Sequence, residues 1–312
     1  MSRFPFPMPF GWFKVAMPDE IGPDAIVTKR YFGTELVLWR TADNELVCQE
    51  AYCGHLGAHL GVGGKVEGDC IRCPFHGWAW GTDGANVDVP YADAPNRKAR
   101  VRTFPVREHA GIVFAWYHPK GDAPRWDLMP VDEWSDPDYG AYQRFDYTIR
   151  TCLQEIGENG FDHAHFQFVH SHPRVGNTEN VTFDGYDRTV LSSQEFPSSK
   201  GSVDARIDVY GRGPGFAITR YNGLIDATLL GCTTPVDEET TDLTFLFTVK
   251  NPGGDAKIDR IAEAFVRSVT SEVGQDIPIW EHKRYEPHPS LAASEKPIMD
   301  WRRWFEQFYV SA

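Results

Sequence analysis

No stretch of the 312-residue sequence approaches the roughly 18 consecutive apolar residues that a membrane-spanning helix needs. Basic charge is short as well. Against 44 Asp and Glu stand 31 Lys and Arg, and a net charge of −13 argues against nonspecific binding to nucleic acid. A disulfide framework is missing. The six cysteines show no evident pairing pattern and fit a reducing, cytoplasmic setting better than a secreted scaffold. The opening MSRFPFPMPFGWFKV is aromatic and broken by proline, so it does not read as the apolar core of a signal peptide. No nicotinamide or flavin motif is visible. The run Gly61-Val62-Gly63-Gly64 is a turn signal, without the context of a phosphate loop. Repeats and low-complexity tracts are not apparent, and the length suits one large or two ordinary domains.

What is present is more specific. Cys53-x-His55 is followed, with 17 residues between His55 and Cys73, by Cys73-x-x-His76. Each half supplies one thiolate and one imidazole at loop spacing. That is the ligand set of a Rieske [2Fe–2S] centre, where two imidazoles replace two thiolates on one of the irons. A Cys₂His₂ zinc site is the rival reading, but its ligands group as Cys with Cys and His with His. Gly54, Gly57, Pro74 and Gly77 allow two tight loops, and Phe75, Trp78 and Trp80 are expected to shield a cluster from water. Cys70 reads as a small packed residue. His59, four residues past His55, reads as a hydrogen-bonding or surface group.

A second constellation lies in Glu158–His170, which holds three of the eleven histidines. If the stretch is helical, Asp162 and His165 share a face with Asn159 one turn earlier. A bend or helix end could return His170 to the same place. His165 and His170 then read as two ligands of a 2-His-1-carboxylate Fe(II) site with open positions for dioxygen. Asp162 would accept a hydrogen bond from a ligand imidazole. The bland alternative is a solvated loop, and His163 and His172 are left under it.

The chain reads as two domains, an α+β protein. Glu35–Arg40, Glu45–Gln49, Val101–Arg107 and Gly111–Tyr117 are short β-branched or aromatic runs of an all-β domain, 1–118. A Pro- and Asp-rich linker follows at 119–138. In 139–312, Val181–Ser193, Val203–Tyr210, Phe216–Leu224, Ala227–Pro235 and Leu243–Lys250 read as successive antiparallel strands. Ile258, Ile261, Ala262, Phe265, Val266, Val269 and Val273 then recur at helical spacing over about four turns. A sheet gripping that helix, as in a START-like fold, would enclose a cavity suited to an apolar ligand.

Together the motifs resemble the oxygenase (alpha) components of Rieske non-haem iron oxygenases, which carry C-x-H, C-x-x-H and a D-x-x-H-x₄-H segment. Asp162, His165 and His170 match that segment. Respiratory-chain Rieske proteins carry an extra Cys in each loop, and Gly57-Ala58 leaves no place for that disulfide. Cys73-Pro74-Phe75-His76-Gly77-Trp78 and the run from Gln275-Asp276 to Lys283 look like the branch of 3-ketosteroid 9α-hydroxylases and cholesterol 7-desaturases. Asp276 matches the family's Q-D motif and sits where Pro278 should bend the long helix, so it is the expected third iron ligand, with Glu272 as runner-up.

The resemblance implies a monooxygenase holding a Rieske [2Fe–2S] cluster on Cys53, His55, Cys73 and His76 and Fe(II) on His165, His170 and Asp276. Electrons would come from NAD(P)H through a separate reductase or ferredoxin, and O₂ would be the co-substrate. A ring-shaped homotrimer is implied, in which Asp162 bridges His165 to His55 or His76 of a neighbour. A hydrophobic ring substrate, a steroid or sterol, suits strands that carry few charges apart from Arg220 and Asp226. The alternatives are a desaturase on the same scaffold, an oxygenase for an aromatic acid, a Rieske ferredoxin that only carries electrons, and a START-like lipid-binding module with a vestigial iron site.

Overall fold

The computed structural model describes residues 2–172, 177–198, 201–223 and 225–310. Its contacts divide the chain into Trp12–Arg125 and a larger unit, Met1–Gly11 with Trp126–Ala312. The division therefore falls inside the Pro- and Asp-rich stretch, and the first eleven residues join the larger unit. The architecture is α+β, as expected.

The smaller unit is built from short antiparallel strands: β1 Gly11–Ala16, β2 Val27–Tyr31, β3 Thr34–Arg40, β4 Leu46–Glu50, β5 Lys65–Glu67, β6 Cys70–Arg72, β7 Ala79–Gly81, β8 Asn86–Asp88, β9 Val106–His109 and β10 Ile112–Tyr117. They form three sheets, ordered β1-β10-β9, β2-β3-β4 and β5-β6-β7-β8. Only Val106 and Arg107 of the expected strand Val101–Arg107 are in β9. Thr103 makes an isolated bridge to Gln49, because Pro105 cannot donate to a ladder. Val37, Trp39, Val47, Leu60, Ile71, Trp80 and Val101 share one core. Fully buried Gln49 crosses it, accepting from Trp39 Nε1 at 3.3 Å and donating to Gly81 O at 2.6 Å. A buried amide satisfied at both ends pins the strands to one register, since either end left unmade would cost about 1–3 kcal/mol.

The larger unit centres on seven antiparallel strands: β11 Gln143–Ile149, β12 Asn177–Asp184, β13 Asp187–Ser198, β14 Gly201–Arg212, β15 Phe216–Asn222, β16 Ala227–Pro235 and β17 Thr241–Val249. Their order is β11-β17-β16-β15-β14-β13-β12. The expected single strand Val181–Ser193 is instead the hairpin β12–β13. It turns at Gly185, which has a φ of 54° that only glycine adopts without strain. Leu224, expected at the end of β15, lies outside the described residues. Among the described residues four α-helices complete the unit: α1 Leu153–Glu158, α2 Ala164–Phe168, α3 Ala256–His282 and α4 Lys296–Phe305.

Asp255 caps α3, accepting from Lys257 N at 2.7 Å. Ala262, Phe265, Val266 and Val269 bury the predicted stripe against Tyr221, Leu229, Phe247 and Val249. Each of the larger side chains contributes about 1.5–3 kcal/mol of burial. Pro278, where the sequence suggests a bend, lies inside the helix, which runs on to His282. Beyond the proline, buried Trp280 packs with Ile149, Leu243 and Val273, and that burial offsets the missing backbone bond. α4 docks against α1 where Gly157 leaves room for Trp301; a Cβ at Gly157 would stand 2.3 Å from that ring. No helix among the described residues is long and apolar enough to cross a membrane.

Candidate metal centres and cavity

In the smaller unit, Cys53 and Cys73 open two loops of one design. Cys53 N donates to Ala58 O at 2.9 Å and Gly57 N to Cys53 O at 2.9 Å. Cys73 N likewise donates to Trp78 O at 2.8 Å and Gly77 N to Cys73 O at 3.1 Å. Gly57 and Gly77 close these turns with φ of 74° and 73°, where a Cβ would be strained. The two thiols are buried beside each other, and burial first and the Cys73 thiol next push the Cys53 thiol up. The rings of His55 and His76 are 4.9 Å apart, and His55 stacks on Trp78 at 4.3 Å. Thiol thus faces thiol and imidazole faces imidazole.

Further features support a sulfur-rich group here. The Trp80 indole N–H is buried without a fully formed hydrogen bond, yet lies close enough to the Cys53 sulfur to lower its pKa. A thiolate or sulfide would satisfy it. Among the described residues, no three of Cys53, His55, Cys73 and His76 offer atoms within 4.8 Å of one another, which a single zinc ion would demand. All six cysteines are free. Trp78 and Trp80 are buried as expected, but Phe75 is 63 % exposed and does not shield the loops. Cys70 is half-buried rather than packed, its thiol donating to Glu67 O at 3.1 Å. His59 belongs to the loop fabric, its Nδ1 accepting from Gly61 N at 3.1 Å.

In the larger unit, His165, His170 and Asp276 offer three donor atoms within 4.8 Å of one another. Their side chains are 9 %, 1 % and 9 % exposed, so an ion there would be held largely out of water. Glu158–His170 is not one helix. α1 passes into a 3₁₀ turn, the chain breaks at Asp162, and α2 restarts at Ala164. That break turns His165 and His170 toward α3, with ring centres 5.1 Å apart. The outer ring nitrogens are engaged: His165 Nδ1 contacts Asp162 O, and His170 Nδ1 lies 2.8 Å from Gln275 Oε1. Both Nε2 atoms are left facing the carboxylate, His170 Nε2 at 3.3 Å from Asp276 Oδ1. Asn159 Nδ2 spans the gap, 3.1 Å from His165 Nε2 and 2.9 Å from Asp276 Oδ2. Burial pushes the Asp276 carboxyl up to about 6 against the opposing pull of His170 and Asn159, a cost that a cation would relieve. Two imidazoles and a carboxylate on one point form a donor set suited to Fe(II).

The remaining sequence candidates fall elsewhere. Glu272 pairs with His172 at 3.0 Å and lies outside the converging trio. The Asp162 carboxylate takes the His165 backbone N–H at 3.4 Å, while its oxygen nearest the His165 ring is 4.0 Å away. Arg220 points out of the cavity and is clamped by Glu133 at 2.5 and 3.1 Å.

The trio opens onto a cavity of about 270 Å³, near the lower end of ligand pockets, roughly 300 Å³. Phe216, Ala217, Thr219, Tyr221 and Leu229 line it from the strands where the sequence expected a pocket, with Val269 and Val273 from α3. Sequence reasoning missed three polar groups. Gln275 orients His170. His163 lines the cavity with both ring nitrogens buried and without partners. Arg188, from β13, lines the cavity as well. The sequence reading leaves His163 in a solvated loop, whereas its ring nitrogens are buried, and nothing local marks Arg188.

Two Cys-His loops of one design in an all-β unit, and two imidazoles with a carboxylate beside a sheet-and-helix cavity, are the build of a Rieske non-haem iron oxygenase. Residues 11–105 match the Rieske [2Fe-2S] domain, and residues 115–309 match the 3-ketosteroid 9alpha-hydroxylase C-terminal domain. A probable 3-ketosteroid-9-alpha-monooxygenase oxygenase component of Rhodococcus rhodochrous is 32 % identical over 89 % of this chain and 74 % of its own. A cholesterol 7-desaturase of Xenopus laevis is 29 % identical over 96 % of this chain and 72 % of its own. The crystal structure of dicamba monooxygenase bound to dicamba shares the fold, with a TM-score of 0.76 over 96 % of both chains at 19 % identity. The chain belongs to the 3-ketosteroid 9α-hydroxylase family, and it is the oxygenase component of a Rieske-type monooxygenase.

Proposed function

We propose that this oxygenase hydroxylates a steroid or sterol-like polycycle at an unactivated C–H, with electrons from NAD(P)H delivered by a separate reductase or ferredoxin. The observation that carries the reading is an apolar cavity opening directly onto His165, His170 and Asp276. The names of the relatives, steroid monooxygenases and cholesterol desaturases, point the same way.

In this reading Cys53, His55, Cys73 and His76 hold the [2Fe–2S] cluster, and His165, His170 and Asp276 hold Fe(II). When bound, the cluster relays single electrons and the iron activates dioxygen. The chain's own residues set the geometry. Asp162 O and Gln275 fix the ligand imidazoles through their Nδ1 atoms, so that both present Nε2. Phe166, Val273 and Trp280 line the cavity by the trio and keep water from it. Leu56, Val62 and Phe75 stay exposed on or near the cluster loops, an apolar rim suited to a neighbouring subunit. A homotrimer, with Asp162 linking His165 to His55 or His76 across subunits, would cover that rim. Cysteines with no disulfide among them suit a reducing cytoplasmic setting.

The test is a panel of 3-ketosteroids, sterols and aromatic acids assayed with a surrogate reductase for NADH-dependent O₂ uptake and product mass. Mass gain of one oxygen on a polycycle is expected, and loss of two hydrogens would identify desaturation instead. Coupled oxidation of an aromatic acid, with no polycycle turned over, would overturn the substrate reading.

A further inference from the structure

The cavity wall carries a cation that the reaction as described does not use. Arg188 stands on β13 opposite Gly211 of β14, and its side chain lies across that glycine, where a Cβ would stand 2.5 Å from Cζ. Its guanidinium packs beside two neighbouring rings, 5.2 Å from the Trp301 centroid and 5.6 Å from that of Trp304. Nη1 donates to Gly213 O at 3.0 Å.

No carboxylate among the described residues pairs with it. Its chain neighbour Asp187 is already held by Arg212 at 2.6 and 2.9 Å. Burial alone pushes the Arg188 pKa down to about 10. A guanidinium has five N–H donors, and the Gly213 carbonyl accounts for one. Glu133 neutralises half-buried Arg220 and Glu158 neutralises buried Arg302, so each of these two arginines has an acid. Around Arg188 the cavity offers Val190, Ile207, Val209 and Phe216 instead.

We propose that Arg188 anchors a carboxylate on the substrate, which makes the preferred substrate a hydrophobic polycycle bearing an acid group away from the oxidised carbon. The polycyclic part rests on the function proposed above; the acid part rests on Arg188 alone. Planar, bidentate recognition of a carboxylate is what an unpaired guanidinium with spare parallel donors does best.

The experiment compares acid and ester probes on the iron-loaded enzyme with a surrogate reductase. The probes are a 3-ketosteroid whose side chain ends in a carboxylate, its methyl ester, benzoate and methyl benzoate. The wild-type enzyme should show a KM about 10- to 100-fold lower for a carboxylate than for its own ester. Arg188→Met should collapse that ratio toward one with iron content unchanged, and Arg188→Lys should restore part of it. Equal KM values for acid and ester in the wild type would overturn the proposal without any variant having to fold. So would a collapse of activity in Arg188→Met that leaves the ratio intact, because that is what a purely structural arginine would do. If benzoate discriminates from its ester and neither steroid turns over, the anchor stands and the polycyclic reading falls. No binding or turnover of either acid overturns the anchor.

Discussion

Replacing Arg302 by Met should damage the mononuclear site from a distance. Arg302 Nε and Nη2 grip Glu158 at 2.6 and 3.0 Å, with side chains 7 % and 9 % exposed, and Nη1 donates to Glu286 O at 2.7 Å. Burial acts to lower the Arg302 pKa, but the Glu158 carboxylate more than offsets it and the net shift is upward. Removing one partner of such a pair costs about 3–5 kcal/mol, because the other charge stays buried. Lys283, 3.7 Å from Glu158 and 2.6 Å from Glu155, supplies part of the lost charge and keeps the cost at the lower end. For a unit of this size, with about 2–4 °C per kcal/mol, the melting temperature should fall by roughly 6–12 °C. Glu158 ends α1 one residue before Asn159, so the same loss should loosen Asn159, Asp162 and His165. Calorimetry would measure the melting shift, and iron analysis beside the visible spectrum would follow the two centres. Mononuclear iron should fall while the cluster absorbance persists. The double variant Glu158→Leu/Arg302→Met should regain at least half of the melting temperature, since an apolar pair leaves no orphaned charge. A single variant melting within about 2 °C of wild type would refute the reasoning.

Two further outcomes follow from the centres. Asp276→Ala should lower iron from about three to about two atoms per chain with the cluster spectrum unchanged. Glu272→Ala should retain all three, and the reverse pattern would mean that Glu272 is the ligand. Trp80→Phe removes an N–H beside Cys53 that favours the more negative, reduced cluster. Protein-film voltammetry should therefore find a potential lower by about 40–60 mV, the equivalent of one bond near 1 kcal/mol; an unchanged potential would mean that the indole does not act on the sulfur.

The legible parts of this molecule were the local ones. The cluster loops close within five residues through matched Cys-to-Gly turns, so spacing alone carried their design. The α3 stripe was legible because helical periodicity is a property of one segment. What escaped depended on distance or on overruled propensity. Asp184-Gly185 is an ordinary hairpin signal, and it was lost inside a run whose β-branched residues continue on both sides. Pro278 is expected to bend the helix near its end, yet burial of Trp280 carries α3 past it to His282. Asp276 reaches His170 across more than a hundred residues, and only the Q-D resemblance bridged that gap. Arg188 was invisible for the same reason: the rings that desolvate it, Trp301 and Trp304, stand over a hundred residues away in the chain. The sequence offered Arg220 as a charge in the pocket strands, whereas Glu133 holds Arg220 outside the cavity.

The central claim is two iron centres in one chain. Iron and acid-labile sulfide measured on the purified enzyme, with an EPR spectrum of the reduced protein, test it most directly. The account predicts about three iron atoms and two sulfides per chain and a Rieske-type signal. Two iron atoms with two sulfides after anaerobic Fe(II) loading, or zinc with no sulfide, would contradict it.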